Sequence, residues 1–340
     1  MDLREVIIAL CSAHGVSGSE ESAAAVAERY LSAFARIQTD TNGNLYATFG
    51  YPEAKKNILL DAHLDRIGLI VTDINEKGFA KVDKCGGMDV RVLQNAVLVT
   101  EGGLCGTVCC LPPHLSDGNE NKATPMDKVW IDFGLPYEEV VRHVRIGEKL
   151  TYFEKPVQLL NGKISAPALD NRCGVAALIK VAEMLSGETL PYQVTILLSA
   201  QEETYGSGSM TGTFRVEPDE AIVVDVSFAA QPDISGVYAG IGLQKGTMIG
   251  ISPILNKKMT EKLLALAQSK AIPFQYEVMS GRTGTNADHI AITKGGVKTA
   301  MLSIPERYMH TQAEVIHPDD VAATADLIAA YIRSGGAFHD

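Results

Sequence analysis

Five stretches of the chain set polar side chains that can bind a metal or move a proton in or just after apolar runs. His63 and Asp65 follow NILLDA, Glu202 and Glu203 follow VTILLSA, and Asp225 ends AIVV. Asp170 stands in PALDNRCGV, and His310 follows MLSIPERYM. Singly, each has an ordinary explanation: a hydrogen-bonded histidine, a helix N-cap at Asp170, a loop-orienting aspartate at Asp225, a solvated pair of glutamates. Together they are two imidazoles and several carboxylates without a cysteine, a donor set suited to zinc, cobalt or manganese. The adjacent Glu202 and Glu203 sharpen the point. Like charges side by side at the end of a buried run cost free energy unless positive charge compensates them. Divalent cations turn that cost into coordination.

The elements that must position these residues alternate between helix and strand in the two outer parts of the chain. LREVIIALCSAHG has helical periodicity up to Gly15, and Ser17 or Ser19 is expected to cap a helix in ESAAAVAERYLSAFA. An Asn42-Gly43 turn precedes a strand in NLYATF, and KNILLDAHLD reads as a buried strand. After Ile164, NRCGVAALIKVAEMLSG predicts a helix, VTILLSA and AIVVDVS two buried strands, and KKMTEKLLALAQSKA a helix. IPFQYEV and VKTAMLSI predict strands, and HPDDVAATADLIAAYIRSGG a final helix with Pro318 in its first turn and Gly335 at its end. This alternation predicts an α/β fold with a mostly parallel or mixed sheet flanked by helices. Functional groups then collect at the carboxyl ends of its strands.

Between Ile67 and Leu160 the pattern changes to short apolar runs (GLIVTDI, NAVLVTEG, CGTVCCL, KVWIDFG) separated by Gly, Pro, Asn and Asp, with PYEEVVRHV the main helical exception. That predicts a small β-rich, barrel-like domain inserted into the larger one. The expected boundaries are 1–66 and 163–340 for two segments of a catalytic domain, and 67–162 for the insertion. Hydrophobic residues make up 46% of the 340, enough for a sizeable core, and the net charge of −11 without any Lys/Arg-rich run argues against a nucleic-acid partner. No run reaches the roughly 20 apolar residues of a membrane span. The start, MDLREVIIALCSAHG, lacks the basic opening of a signal peptide. The six cysteines form no CxxC and are expected as buried free thiols in a reducing cytoplasm.

The motifs resemble those of the M42 aminopeptidases, two-metal enzymes of the zinc-peptidase clan. HLD at 63–65, LDNR at 169–172, QEETYGSG at 201–208, VVDVS at 223–227 and RYMHTQAEVI at 307–316 stand in that family's order. GTNADH at 284–289 resembles its Gly-Thr-Asp-Ala segment, with Asn286 as a departure. The resemblance implies two divalent metal ions per chain, zinc first and cobalt or manganese as alternatives. It implies that Asp170 bridges them, that His63 and Asp225 complete one set of ligands, and that Glu203 and His310 complete the other. Asp65 would orient the His63 ring. Glu202 would be the general base that takes a proton from a water activated by both metals and passes it to the leaving amine. The peptide bond after Asp170 is expected to be cis. The family further implies short peptide substrates bearing a free N-terminus, dimerisation through the insertion, and dimers that build a hollow tetrahedral dodecamer.

Arg66 stands where the family often has an acidic residue. It would either face the cleft and favour acidic substrates or pair with Asp61 or Asp65. His289 is read as structural, His317 as part of the start of the last helix, and His114 as a surface residue in a loop, LPPHLSDGNENKA, suited to an interface or a gate. Two other classes compete with the aminopeptidase. A glycoside hydrolase would need only a carboxylate pair and leaves His63, Asp170, Asp225 and His310 without a purpose. A catalytically silent assembly or peptide-binding protein is at odds with an intact ligand set.

Overall fold

Strands rich in Val, Ile and Leu on both faces belong at the centre of a covered sheet, and here four such strands lie side by side. The structure, a computed structural model, describes residues 1–51, 53–115 and 122–337. Its first part holds helices α1 (Leu3–Cys11) and α2 (Glu21–Leu31) and strands β1 (Arg36–Thr39), β2 (Leu45–Gly50) and β3 (Asn57–His63). Next come β4 (Gly68–Ile74), β5 (Phe79–Cys85), β6 (Val97–Thr100), β7 (Cys105–Val108), β8 (Trp130–Asp132), α3 (Tyr137–His143) and β9 (Lys149–Tyr152). After them run β10 (Val157–Gln158), β11 (Ile164–Ala166), α4 (Leu169–Leu185), β12 (Gln193–Ser199), α5 (Ser207–Val216) and β13 (Glu220–Phe228). The chain continues with β14 (Thr247–Ile251), α6 (Lys257–Ser269), β15 (Phe274–Val278), α7 (Ala287–Ile290), β16 (Lys298–Glu306), β17 (Glu314–Ile316) and α8 (Pro318–Arg333).

The large sheet has the order β1-β2-β12-β3-β13-β16-β14-β15. Its centre, β12-β3-β13-β16, is parallel, while β2 and β14 join it antiparallel, so the sheet is mixed. Side chains alternate between the two faces. Ile58, Leu60 and Ala62 of β3 enter the main core under α1, α2, α4 and α8, while Leu59 joins Leu197, Val223 and Ile290 on the other face. Helix α4 is buried along most of its length. Truncating its Leu178 to Ala would cost about 2–5 kcal/mol.

The inserted β-rich part is a closed barrel, β4-β5-β8-β7-β6-β9, around its own core of Leu69, Val71, Val82, Leu98, Ile131 and Leu150. The chain leaves it after Tyr152, and β10 already pairs with β11, which pairs with β17.

Several local expectations are corrected. Neither Ser17 nor Ser19 caps α2: Glu20 occupies the N-cap without a capping bond, and Ser17 Oγ bonds Thr204 Oγ1 instead. The helix stops at Leu31, short of the run through Ala35, and residues 36–39 become the sheet's edge strand. The cysteines are all free, yet only Cys11 and Cys173 are buried, while Cys105 and Cys110 are exposed. His317 does sit at the start of α8, where its Nδ1 accepts from Asp319 N. Among the described residues no helix is long and apolar enough to cross a membrane.

Candidate active site

Parallel register brings the polar strand ends together. His63 at the end of β3 is the partner of Ser199 at the end of β12, so Glu202 and Glu203 start the loop beside it. On the other flank Val223 of β13 pairs with Asp61, which places Asp225 level with His63. Asp170 is no helix cap. Its backbone is extended (φ −72, ψ 106), the Asp170–Asn171 bond is cis, and Asn171 Nδ2 donates to Val224 O at 2.8 Å, tying the start of α4 to β13. His310 lies beyond β16 with a left-handed backbone, φ 62.

Asp170 stands between the two imidazoles. Its Oδ1 is 3.1 Å from His63 Nε2 and its Oδ2 is 3.2 Å from His310 Nε2. Asp225 Oδ1 approaches His63 Nε2 at 3.6 Å, and Glu203 Oε2 approaches His310 Nε2 at 3.4 Å. Donor atoms of His63, Asp170 and Glu203 all lie within 4.8 Å of one another. Glu203 Oε1 is buried without a hydrogen-bond partner. Glu202 stands slightly apart, with its Oε2 4.0 Å from His63 Nε2 and its side chain more open than that of Glu203.

Two further carboxylates hold this group from behind. Asp65 Oδ1 accepts from Glu202 N at 3.0 Å and its Oδ2 from Glu203 N at 3.1 Å, while His63 Nδ1 faces the Asp65 carbonyl at 3.1 Å and Oδ1 at 3.5 Å. Glu314 accepts from Asp170 N at 3.2 Å and His310 N at 3.1 Å. Each half of the cluster is thus anchored through its backbone amides.

The electrostatics fit a cation site. Burial pushes the carboxyls of Glu202, Glu203 and Asp225 up, and neighbouring carboxylates, Asp170 foremost at Glu203, add to the shift. Burial alone would lower the His63 pKa, but Asp170, Asp225 and Asp65 raise it well above its ordinary value. Asp170 is held below the carboxylate range because the two histidines outweigh its burial. Crowded carboxylates beside two imidazoles, with Asp170 Oδ1 and Glu203 Oε1 left without a hydrogen-bond partner, are what divalent ions stabilise.

All six of these residues line one cleft of about 450 Å³, while Asp65 lies buried behind it. Phe228, Tyr238, Met301 and Met309 supply apolar wall, and Glu277, hydrogen-bonded to Ser303 Oγ at 2.5 Å, supplies an acidic patch. Glu277 gave no signal in the sequence, because IPFQYEV reads as an ordinary strand. Gly87, just beyond β5 of the barrel, was also missed. A Cβ there would lie 2.5 Å from His310 Nδ1, so the barrel domain closes one side of the site and needs a glycine to do so. Asn286 donates to Asp61 Oδ2 at 3.0 Å and to Ser199 Oγ at 2.9 Å beneath the cluster.

Both expectations for Arg66 fail. It is buried, lines a different cavity, and has no carboxylate at ion-pair distance among the described residues. His289 packs against Gly206 and is not part of the cleft lining. His114 is exposed, and residues 116–121 of its loop lie outside the described residues.

Comparison with known proteins agrees with this architecture. The model of the M42 glutamyl aminopeptidase family matches residues 43–327. A lysyl aminopeptidase of Pyrococcus furiosus is 32% identical over 304 residues, covering 87% of this chain and 86% of the relative. An aminopeptidase of the archaeon Desulfurococcus kamchatkensis superposes with a TM-score of 0.89 at 29% identity, covering 97% of this chain and 94% of that one. The TET1 peptidase of Pyrococcus horikoshii, which assembles into a tetrahedron or a large octahedral shell, superposes with a TM-score of 0.86 at 30% identity, covering 97% and 99%.

Proposed function

Since the chain belongs to the M42 glutamyl aminopeptidase family and is an exopeptidase of peptides, we propose that it works with two divalent metal ions and with Glu202 as general base. The observation that carries this reading is Asp170, whose two oxygens are shared between His63 on one side and His310 on the other. Asp170 would bridge the ions, His63 and Asp225 completing one ligand set, Glu203 and His310 the other. Zinc suits these ligands, with cobalt and manganese as alternatives. The ions would supply Lewis acidity, lowering the pKa of a water and polarising the scissile carbonyl.

The chain's own residues would do the rest. Asp65 fixes the His63 ring and the backbone of both glutamates, so Glu203 and Glu202 keep separate directions. Glu202, at the open side of the cluster, would accept the proton of the attacking water and return it to the leaving amine. The acidic cluster would hold the free amine of the substrate, which excludes internal peptide bonds, and Phe228, Met301 and Met309 would take the first side chain. Peptides short enough to reach the cleft are the expected substrates. Assembly of dimers into a larger homo-oligomer, as far as a dodecamer, is supported by the likeness to TET1. The six unpaired cysteines suit a reducing, cytoplasmic setting.

The test is Glu202→Gln. The variant should retain the wild-type metal content while kcat on aminoacyl-anilides falls at least about hundredfold, the scale of a lost general base. N-acetylated substrates should be refused by both forms. Full activity of the variant, or equal cleavage of acetylated peptides, would sink the reading.

A further inference from the structure

A second cavity, of about 550 Å³, opens where the end of α1 meets barrel strands β6 and β9, and it shares no lining residue with the metal cleft. Its walls are partly apolar, with Ile8, Val99 and Phe153, and the exposed Glu101, Glu154 and Lys155 stand at its rim. Deeper in, the lining is polar and unmatched. Arg66, Thr151 and Tyr152 are each 3% exposed, and Arg66 Nε, Thr151 Oγ1 and Tyr152 Oη are buried without a hydrogen-bond partner. Buried polar atoms are rarely left so, and each one demands a partner.

The missing partner has a sign. Arg66 has no carboxylate at ion-pair distance among the described residues, and Glu314, the acidic group that acts on it most strongly, has its oxygens on the amides of Asp170 and His310. Behind it Arg172 is fully buried, its guanidinium donates to the carbonyls of Leu10 and Gly15, and its Nε has no partner among the described residues. Two guanidiniums in one low-dielectric region repel each other unless an anion lies between or beside them. His14, another lining residue, reports the same positive field: burial first, then Arg66 and Arg172, push its pKa down to about 4. Arg66 Nε, Arg172 Nε and the hydroxyls of Thr151 and Tyr152 can each donate a hydrogen bond, while the neutral His14 ring, both of whose nitrogens are also unmatched, offers one donor and one acceptor.

We propose that this cavity binds a small oxyanion, a carboxylate or a phosphate group, held by Arg66 with Tyr152 and Thr151 as hydroxyl donors. A guanidinium fork matches both chemistries, and the apolar wall accommodates a short organic body. The site is separate from the aminopeptidase cleft and does not depend on the metal reading. Its link to that cleft is structural: Arg66 follows Asp65, and its backbone is fixed by Arg66 N donating to Gly15 O and Ser17 N donating to Arg66 O.

The test is calorimetric titration of the metal-loaded full chain with sodium phosphate and, separately, sodium propionate, with sodium chloride at matched ionic strength as the control. At least one oxyanion should bind saturably at one per chain where chloride does not. Tyr152→Phe should weaken that binding about tenfold, the scale of one hydrogen bond to a charged group, and Arg66→Leu should abolish it, while His310→Ala leaves it in place. The phosphate and propionate arms identify which chemistry is preferred. Absence of saturable binding by either oxyanion overturns the proposal, as does binding that survives both variants or is lost only in His310→Ala. Should Arg66→Leu fail to fold, Tyr152→Phe decides alone.

Discussion

Asp65→Asn probes how far the site depends on the residue behind it. Both oxygens of Asp65 are engaged, Oδ1 with Glu202 N at 3.0 Å and Oδ2 with Glu203 N at 3.1 Å, and Oδ1 also lies 3.5 Å from His63 Nδ1. An asparagine has one oxygen, so its amide nitrogen must point at one of the two backbone N–H groups. One charge-assisted bond is then replaced by two donors facing each other. A hydrogen bond to a charged acceptor is worth about 1.5–3 kcal/mol. At about 1.4 kcal/mol per factor of ten, that predicts a loss of roughly ten- to hundredfold, which is also the usual scale for residues that orient a metal ligand. The loss should appear in kcat/KM on an aminoacyl-anilide, in metal affinity, or divided between them, depending on whether Glu202 or Glu203 is displaced. Metal content by mass spectrometry and steady-state kinetics on the same preparation separate these cases. A folded Asp65→Asn protein with wild-type metal affinity and kcat/KM within about twofold would refute the positioning argument.

Gly87→Ala should injure the site from the barrel side. The added methyl would sit 2.5 Å from His310 Nδ1, and displacing that ring by about 1 Å can cost on the order of hundredfold in rate; a kcat/KM equal to wild type would show that the barrel gives way instead. Glu20→Gln tests a buried carboxyl outside the site. Burial pushes Glu20 up to about 7, and its Oε1 accepts from both Gly18 N and Gln201 N, bonds that a glutamine oxygen can keep. A carboxyl with a raised folded-state pKa contributes its stability below about pH 4.5 and loses it as the pH rises through about 7. Urea unfolding should therefore find the variant close to wild type at pH 5 and more stable at pH 8, by up to about 3 kcal/mol; a constant difference across that range would contradict the assignment.

The sequence exposed most of the site because its residues follow strands that announce themselves. NILLDA and VTILLSA are apolar enough to be buried on both faces, and parallel register then sets His63, Glu202 and Asp225 side by side. Asp170 was legible only through its motif: by spacing alone it reads as an N-cap, whereas its backbone is extended and its carboxylate stands between His63 and His310. What stayed hidden depends on contacts distant in sequence. Gly87 meets His310 from another domain, and Glu314 is joined to Asp170 across 144 positions. Ser17 and Ser19 had the composition of helix caps, yet Glu20 took the N-cap position and sent its side chain to Gln201 N instead of the helix. Arg66 misled for a related reason. Its place beside the His-x-Asp triplet suggested the cleft or a pair with Asp61 or Asp65, but Arg66 comes two residues after Leu64, and the chain has by then left the end of β3 for the seam with the barrel. The short edge strand β1, RIQT, carried too little apolar pattern to register, and β14, TMIGI, is buried but only five residues long and interrupted by Gly250.

The central claim is that Asp170 bridges two metal ions and Glu202 binds neither. Anomalous diffraction from crystals grown with zinc tests this most directly. Two peaks should appear, one among Asp170 Oδ1, His63 and Asp225 and the other among Asp170 Oδ2, Glu203 and His310, with Glu202 beyond coordination distance of both. A single peak, or Glu202 bound to either ion, would contradict the account.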